Sequence, residues 1–509
     1  MNLKSLFLCL LFLSKSSLNA APPVDENILH LAGTIGTATY EFSIPQVACC
    51  VNTFTVLADI RAHLPGRECA PTPLTVHSTG TTISTAGVYC LNNDPVITSS
   101  AVTAITINAS NVVLDLNGHT ISGNGNGILV GAFSNITIKN GNLAVTAVGV
   151  RVNASLIVSN QRNITMQDLS IMNAAPYSIH VVSGVSNTID NLVIKNVIMN
   201  SSPTAHIFLS NTLANTANNV SGIIDSCVMS GHISSSDDGG CVVVRSNIGR
   251  LNITNCSAST TSTFGGSMYN VKTSTIVSFD NCTAYLPEDT EGNSFGFNIA
   301  FQGDNPIYNV ALNNCSSFNG SSGFIISAGP TAPSILNFIF NNCQTTNTLS
   351  DGFVFSANQN PTINAIFRDC IAKKSAGSGF ELAGGSSTQY NCDFQNCIAV
   401  NNDIFGFNFS TCIFNCLVNN CSARNNGASG FSFQTIGALS NCNIQNCIAA
   451  CNGGFGFIGS RDNLAIFYLN QASGNNFGNY SALGTQSAPR TVFTAPTSGR
   501  ADNLANVLP

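Results

Sequence analysis

Asn or Asp recurs along this 509-residue chain at Asn140, Asp168, Asn196, Asn255, Asn281, Asn314, Asn342, Asp369, Asn396, Asn420, Asn446 and Asn470, with Ser226 filling the one gap. The steps run from 24 to 33 residues. Self-similarity at such a period means a solenoid, because one repeat is too small to bury its own apolar face and must stack on the next. Apolar residues stand four and two positions before the column, as in Ile136 and Ile138, Leu251 and Ile253, or Phe338 and Phe340. That alternation is a strand with one inward face. After the column the parity flips, and Cys follows nine times, from Cys227 to Cys447, often with Ala two residues later (Ala258, Ala284, Ala372, Ala399, Ala423, Ala449). A flip of parity marks a corner between strands, and the small Ala suits a narrow interior beside it. A polar stretch then leads to Gly-Phe, as at Gly379-Phe380 and Gly406-Phe407, where Gly supplies the turn and a further strand begins.

Each period therefore holds two or three short strands that pair only with the next period, which is a single-stranded parallel β-helix. Roughly a dozen coils at about 4.8 Å each give a rod about 60 Å long. In this geometry the Asn column is expected to face inward, its stacked amides bonding coil to coil. The fold class is all-β, and the column is read as structural.

Charged residues are only 8% of the chain, with 18 Lys plus Arg against 24 Asp plus Glu. A neutral polar surface with no basic run gives nothing to hold nucleic acid or an anionic membrane. At the N-terminus, Lys4 precedes the apolar run Leu6 to Leu13, followed by Leu18-Asn19-Ala20-Ala21. This reads as a signal peptide over residues 1–21 and predicts a secreted or cell-envelope protein. The run is too short to span a bilayer, so no transmembrane span is expected. Residues 22–75 lack the repeat and read as a cap region, in which Asn52 to Leu64 has helical spacing ended by Pro65-Gly66. Residues 76–483 read as β-helix, and 484–509 as a tail rich in Ser, Thr, Ala and Pro.

Twenty Cys in an exported chain ordinarily suggest a disulfide framework. Here the periodicity argues for buried thiols, because residues stacked in one column sit about 4.8 Å apart, beyond the usual Cβ separation in a disulfide. Cys392, Cys416 and Cys442 form a second column where Ile or Phe usually stands. A zinc site built from Cys412, Cys416, Cys421, Cys447 and Cys451 is disfavoured, since zinc ligands cluster locally rather than in columns. No metal and no cofactor are assigned. Cys49, Cys50, Cys69 and Cys90 lie outside the repeats, and Cys69 with Cys90 is the first pairing to consider for a disulfide.

The run Thr82-Ile-Ser-Thr-Ala-Gly-Val-Tyr-Cys-Leu91, followed by Ile105 to Gly123 with Asp115, Asn117 and Gly118, resembles the opening coils of bacterial right-handed parallel β-helix proteins of the pectin lyase-like superfamily. With the downstream coils the resemblance covers about four-fifths of the chain. It implies right-handedness, an extracellular or envelope location and frequent contact with polysaccharide, and it implies no single reaction. Lyases, hydrolases, epimerases, tailspikes and adhesins share the scaffold.

Hydrolysis of a glycosidic bond needs facing carboxylates, one of them protonated. Ser236-Asp237-Asp238-Gly239-Gly240 resembles the paired-aspartate segment of polygalacturonases, in which Asp237 and Asp238 supply acid and base. The other motifs of that family are missing: no Gly-His-Gly follows, all seven His lie at or before His232, and no Arg-x-Lys pair follows. A polar loop accounts for the same residues. Glu288, Asp289 and Glu291 are the densest acids, in the longest interval of the repeat, but no Arg or Lys column accompanies them as lyase chemistry requires. The sequence thus points to a binding or adhesin-like surface scaffold, with a polysaccharide hydrolase or lyase as the alternative. The expected partner is a polysaccharide or a host or envelope protein surface. Trp is absent, and the 31 Phe mostly follow Gly or alternate inward, so stacking aromatics on the surface look sparse.

Overall fold

The structure is a computed structural model that describes residues 28–35, 38–45, 72–153, 161–183, 188–211, 220–232, 239–245, 248–260, 264–272, 276–288, 291–301, 307–328, 335–357, 362–384, 389–410, 415–433, 440–459 and 464–481. The chain divides into two units, Met1–Arg67 and Glu68–Pro509. In the first, Ile28–Ile35 and Ala38–Pro45 pair antiparallel as a hairpin, with Ile35 opposite Ala38. The helical spacing read at 52–64, the signal segment and the tail after Ser481 lie outside the described residues, as do Cys49, Cys50 and Cys69. Among the described residues there is no helix, and every strand pairing of the second unit is parallel.

The second unit is a parallel β-helix. One turn of it shows the plan: Phe380–Gly384 lies on face A, Gln389–Gln395 on face B and Ile398–Val400 on face C. Each pairs with its counterpart in the next coil, Phe380 with Phe407, Phe394 with Val418 and Ala399 with Ala423. Face A is a sheet of 16 strands, from Thr81–Ile83 to Gly478–Ser481. It holds all the coils read from the repeat column and adds the opening strands Thr81–Ile83, Thr103–Ile107 and Asn126–Val130 ahead of Asn140.

The corner between faces B and C explains the column. From Asn140 to Asn446 every member, Ser226 included, has φ between 50 and 57°. This left-handed conformation places Cβ against the following carbonyl, and among residues with a side chain Asn and Asp tolerate it best. The column is therefore Asn because of its backbone. Its direction is opposite to the inward one expected. Phe394, two residues before Asn396, and Cys397, one after it, both point into the core and are fully buried. The bend between them leaves the Asn side chain on the outside, half-buried in the first coils and exposed from Asn255 onward. The amides do bond from coil to coil, on the outer surface: Asn281 Nδ2 donates to Asn255 Oδ1 at 2.9 Å, Asn396 to Asp369 at 2.9 Å and Asn420 to Asn396 at 2.8 Å.

Asn470 does not belong to the column. Gln471 pairs with Ile448, which puts Leu469 at the corner with φ 52° and Asn470 in the Cys column. There Asn470 is buried, its Oδ1 accepting from Cys447 N at 2.9 Å and its Nδ2 donating to the Ile444 carbonyl at 2.7 Å.

The Cys column is a row of buried free thiols, as expected. Apart from Cys315, whose Sγ contacts the Asn313 carbonyl, each Sγ sits between two carbonyls. Cys343 donates to Leu312 O at 3.3 Å and Asn341 O at 3.5 Å, and Cys447 to Val418 O at 3.4 Å and Gln445 O at 3.2 Å. A thiol here is a small hydrophobe with one weak donor, which suits a bend whose carbonyls crowd the core. Cys392, Cys416 and Cys442 are buried free thiols too. Cys90 is in a disulfide whose partner lies outside the described residues.

The rest of the interior is filled by Ile, Leu and Val in the first coils, and from Tyr269 onward by stacked rings and by small residues meeting across the rod. On face A, Phe353, Phe380, Phe407, Phe431 and Phe457 stack at 4.7 to 4.8 Å with planes within 4°. Phe367 and Phe394 of face B stack at 4.4 Å and meet Phe380 edge-on. From Gly352 onward the Gly of each Gly-Phe pair faces an Ala of face C, while Gly296 and Gly323 face Ser317 and Thr345: a Cβ on Gly406 would stand 2.7 Å from Ala423 Cβ and 2.6 Å from the Gly430 carbonyl. The Ala is small because this Gly opposes it. An inward amide ladder exists after all, at Asn402, Asn426 and Asn452, each 1% exposed, with Asn475 at its end. Asn402 Oδ1 accepts from Ser375 N at 3.0 Å, and in Asn426, Asn452 and Asn475 each Oδ1 accepts both the backbone N–H and the Nδ2 of the Asn one coil before, as in Asn402 N at 3.1 Å and Asn402 Nδ2 at 2.9 Å onto Asn426.

Truncating a ring in mid-stack, Phe380→Ala, is expected to remove about 3–5 kcal/mol of stability, read as a lower urea midpoint. In thiol titration the native protein should react at Cys451, the one exposed thiol among the described free cysteines, and denaturation without reductant should release the other 13 of those 14. Few thiols on denaturation would overturn the buried-thiol column.

Candidate functional site

Asp237 and Asp238 lie outside the described residues, as do Asp289 and Cys412. Glu288 is an exposed surface residue, and Glu291 begins the strand Glu291–Phe301. Cys416 and Cys421 stand buried in separate columns while Cys451 is exposed at a corner, so the cysteines weighed for zinc do not converge. Among the described residues no group of three or more His, Cys, Asp or Glu is placed to hold a metal. No helix among them is long and apolar enough to cross a membrane.

What the structure gathers instead lies on the outer side of face A. In Tyr177–Ser183 and Ala205–Asn211 the inward residues are Ile179, Val181, Ile207 and Leu209, all fully buried. Alternation therefore turns His180 and Phe208 outward, and the register pairs them with each other and His180 with Arg151. Tyr177, at the start of its strand, lays its ring on Phe208 with centroids 4.6 Å apart and planes 8° apart. His180 tilts against both rings, 4.5 Å from Tyr177 and 5.3 Å from Phe208. The Arg245 guanidinium stands over the other side, 5.6 Å from the Phe208 centroid. His180 Nε2 and Ser210 Oγ share a hydrogen bond of 3.1 Å, which fixes the imidazole.

The rings are half-buried, and Arg151 and Arg245 are exposed. Burial, and after it the Arg151 charge, lower the His180 pKa to about 4, so the imidazole is neutral at neutral pH. Burial raises the Tyr177 phenol. Tyr177 and Phe208 cover one another's faces, so the cluster turns ring edges, guanidinium groups and a hydroxyl outward. It can pack these edges against a polar molecule laid across the strands and hydrogen-bond it. It holds no activated nucleophile.

This cluster departs from the sparse surface aromatics that the sequence suggests. The signal was nonetheless there, since Phe208 falls between two inward residues, Ile207 and Leu209, and cannot share their face.

Face A carries one other outward group of interest, Glu381, between inward Phe380 and Leu382. Its Oε1 accepts from Ser410 Oγ at 2.8 Å, and its Oε2 accepts from Asn408 Nδ2 at 2.7 Å and Ser378 Oγ at 3.2 Å. Ser378 also donates its backbone N–H to Asp351 Oδ1 at 2.5 Å, so one residue links the two carboxylates. Burial raises the Glu381 carboxyl, and the Asp351 charge adds to that.

No protein-family model matches the chain, and no curated protein matches it in sequence. Among solved structures, the A-module of a mannuronan C-5 epimerase from Azotobacter vinelandii is similar over 81% of this chain and 91% of that one, at 10% identity and a TM-score of 0.28. The likeness is one of fold and adds nothing to what the strand pairing defines.

The depressed His180 pKa has a signed consequence. Between about pH 4 and 6.5 the unfolded imidazole binds a proton that the folded one does not, so stability falls as pH drops through that window. A thermal melt series from pH 7 to pH 4 should fall less steeply in His180→Gln than in the wild type; parallel curves would remove His180 as a contributor.

Proposed function

We propose that this protein is a secreted or cell-envelope β-helix that binds carbohydrate, with the outer side of face A as its binding surface and no catalysis of its own. The observation that carries this reading is the Tyr177 and Phe208 stack, turned outward on a rigid sheet and bordered by Arg151, Arg245 and Ser210. Half-buried ring edges on a strand surface can pack against the apolar side of a sugar ring, and the flanking donors can bond its hydroxyls. Strands hold such a platform more precisely than loops would.

The position on the rod supports the same reading. An outer amide ladder runs Asn111, Asn135, Asn163 and Asn191, and another runs Asn309, Asn337, Asn364, Asn391 and Asn415, both on face B. Between them the same register position holds Ser221, Arg250 and Ile276. The repeat pattern is thus given up in coils beside the platform, and departures from local regularity are where function is expected.

The test is retention of the purified protein on immobilised neutral and acidic polysaccharides, with new reducing or unsaturated ends followed in parallel. Phe208→Ala and Tyr177→Ala should each weaken retention about ten-fold, in keeping with loss of a stacked ring. Retention unchanged in both would remove the platform from the reading. Appearance of new ends, lost in Asp237→Asn or Asp238→Asn, would replace it with the hydrolase or lyase reading.

A further inference from the structure

The last coil of the described rod consists of Leu464–Tyr468 on face B, Gln471–Ser473 on face C and Gly478–Ser481 on face A. These strands pair with Ser440–Gln445, Ile448–Ala450 and Phe455–Gly459 of the coil before, and Gly478–Ser481 ends the 16-strand sheet. Among the described residues no strand pairs with the far edge of Leu464–Tyr468 or of Gln471–Ser473. The missing neighbour shows in the core. Ile444 and Phe457 are fully buried, whereas Phe467 and Tyr480, in the same inward positions one coil later, are only half-buried. In the same coil Ile466 is 51%, Tyr468 41%, Leu469 41% and Phe477 74% exposed. Sheet edges are ordinarily kept from pairing by charges, by Pro or by a bulge. Residues 464–481 contain no Asp, Glu, Lys, Arg, His or Pro, and the register from Ala465 to Tyr468 is unbroken.

What fits such an end is another strand edge with apolar residues behind it. A further coil of the same chain is disfavoured, because residues 482–509 hold no Gly-Phe pair and no Cys, and Pro489 and Pro496 lack the N–H that a ladder needs. A head-to-tail contact is disfavoured by the opposite end, where Leu74 and Ile83 of the opening coils are already buried. An identical end meets each requirement. It brings a strand edge of the same length, apolar residues of the same kind and no charge to repel its twin, which is the self-complementarity that a two-fold contact demands. It also continues the coil-on-coil contact that every strand pairing of the rod already uses.

We propose that two copies of this protein join end to end through the last coil, with Leu464–Tyr468 of one copy pairing antiparallel with the same strand of the other and closing the core over Phe467. The contact is independent of what face A binds.

Sedimentation equilibrium of the purified full chain at micromolar concentration tests it, with reductant present so that the exposed Cys451 cannot link copies. The wild type is expected at twice the chain mass. Ile466→Lys combined with Tyr468→Lys sets like charges against one another across the two-fold and should raise the dimer dissociation constant about 100-fold. Both side chains are exposed, so the circular dichroism of the doubly substituted protein should match that of the wild type. Val96→Lys, at a 57% exposed position in the opening coils, is the control and should leave the dimer intact. A wild type that sediments as a monomer or as a species larger than a dimer, a dimer that survives the paired lysines, or one that Val96→Lys disrupts equally would each overturn the proposal.

Discussion

The left-handed residue at the corner between faces B and C is the constraint on which the rest of this rod depends. A bend between faces B and C requires φ near 55°, which costs an ordinary L-residue about 1–2 kcal/mol, and the chain meets it a dozen times in succession with Asn, Asp or Ser. The choice of residue at the bend settles its neighbours. A side chain at the apex must leave on the convex side, so the next residue is the first to re-enter the core. It arrives where carbonyls crowd, and Cys fits because it is small, apolar and still able to donate. The narrow space beyond the bend then admits Ala opposite Gly, and the width left on the far side is filled by a ring.

Both outward clusters follow from that interior. With Ile179 or Phe380 committed to the core, the adjacent residue on the same strand has only the outer side of face A to occupy. Parallel pairing holds that sheet in register from coil to coil, so outward groups stand at fixed spacings without any loop to position them. Tyr177, His180 and Phe208 are a few coils from one end of the sheet, and Glu381, Asn408 and Ser410 are nearer the other. Their chemistries differ, rings with cations in one and a carboxylate among hydroxyls in the other.

Much of this was legible in the sequence, and what was not has physical causes. The repeat, the corner, the buried thiols and the inward Phe follow from parity alone. The direction of the Asn column did not, because an amide ladder is equally good on either side of a wall and only the left-handed backbone decides between them. Asn470 imitated the column because the last interval is one residue shorter and Leu469, a poor left-handed residue, took the corner. The true inward ladder at Asn402, Asn426 and Asn452 stayed hidden among the other polar residues before Gly-Phe. Phe208 and Glu381 are inconspicuous in the sequence for a different reason. They belong to no motif, and their significance lies in facing away from the residues on either side of them.

The ladders of amide, thiol, ring and Gly against Ala link each coil chiefly to the one before it and the one after. Each coil therefore offers its neighbour the same upper and lower surface that it received. A duplicated or deleted segment of one period rejoins two surfaces that already match, and the joint is chemically indistinguishable from any other. Chain length in such a protein is a quantity that inheritance can adjust in whole steps, while a site set into particular coils travels intact along the lengthening or shortening rod.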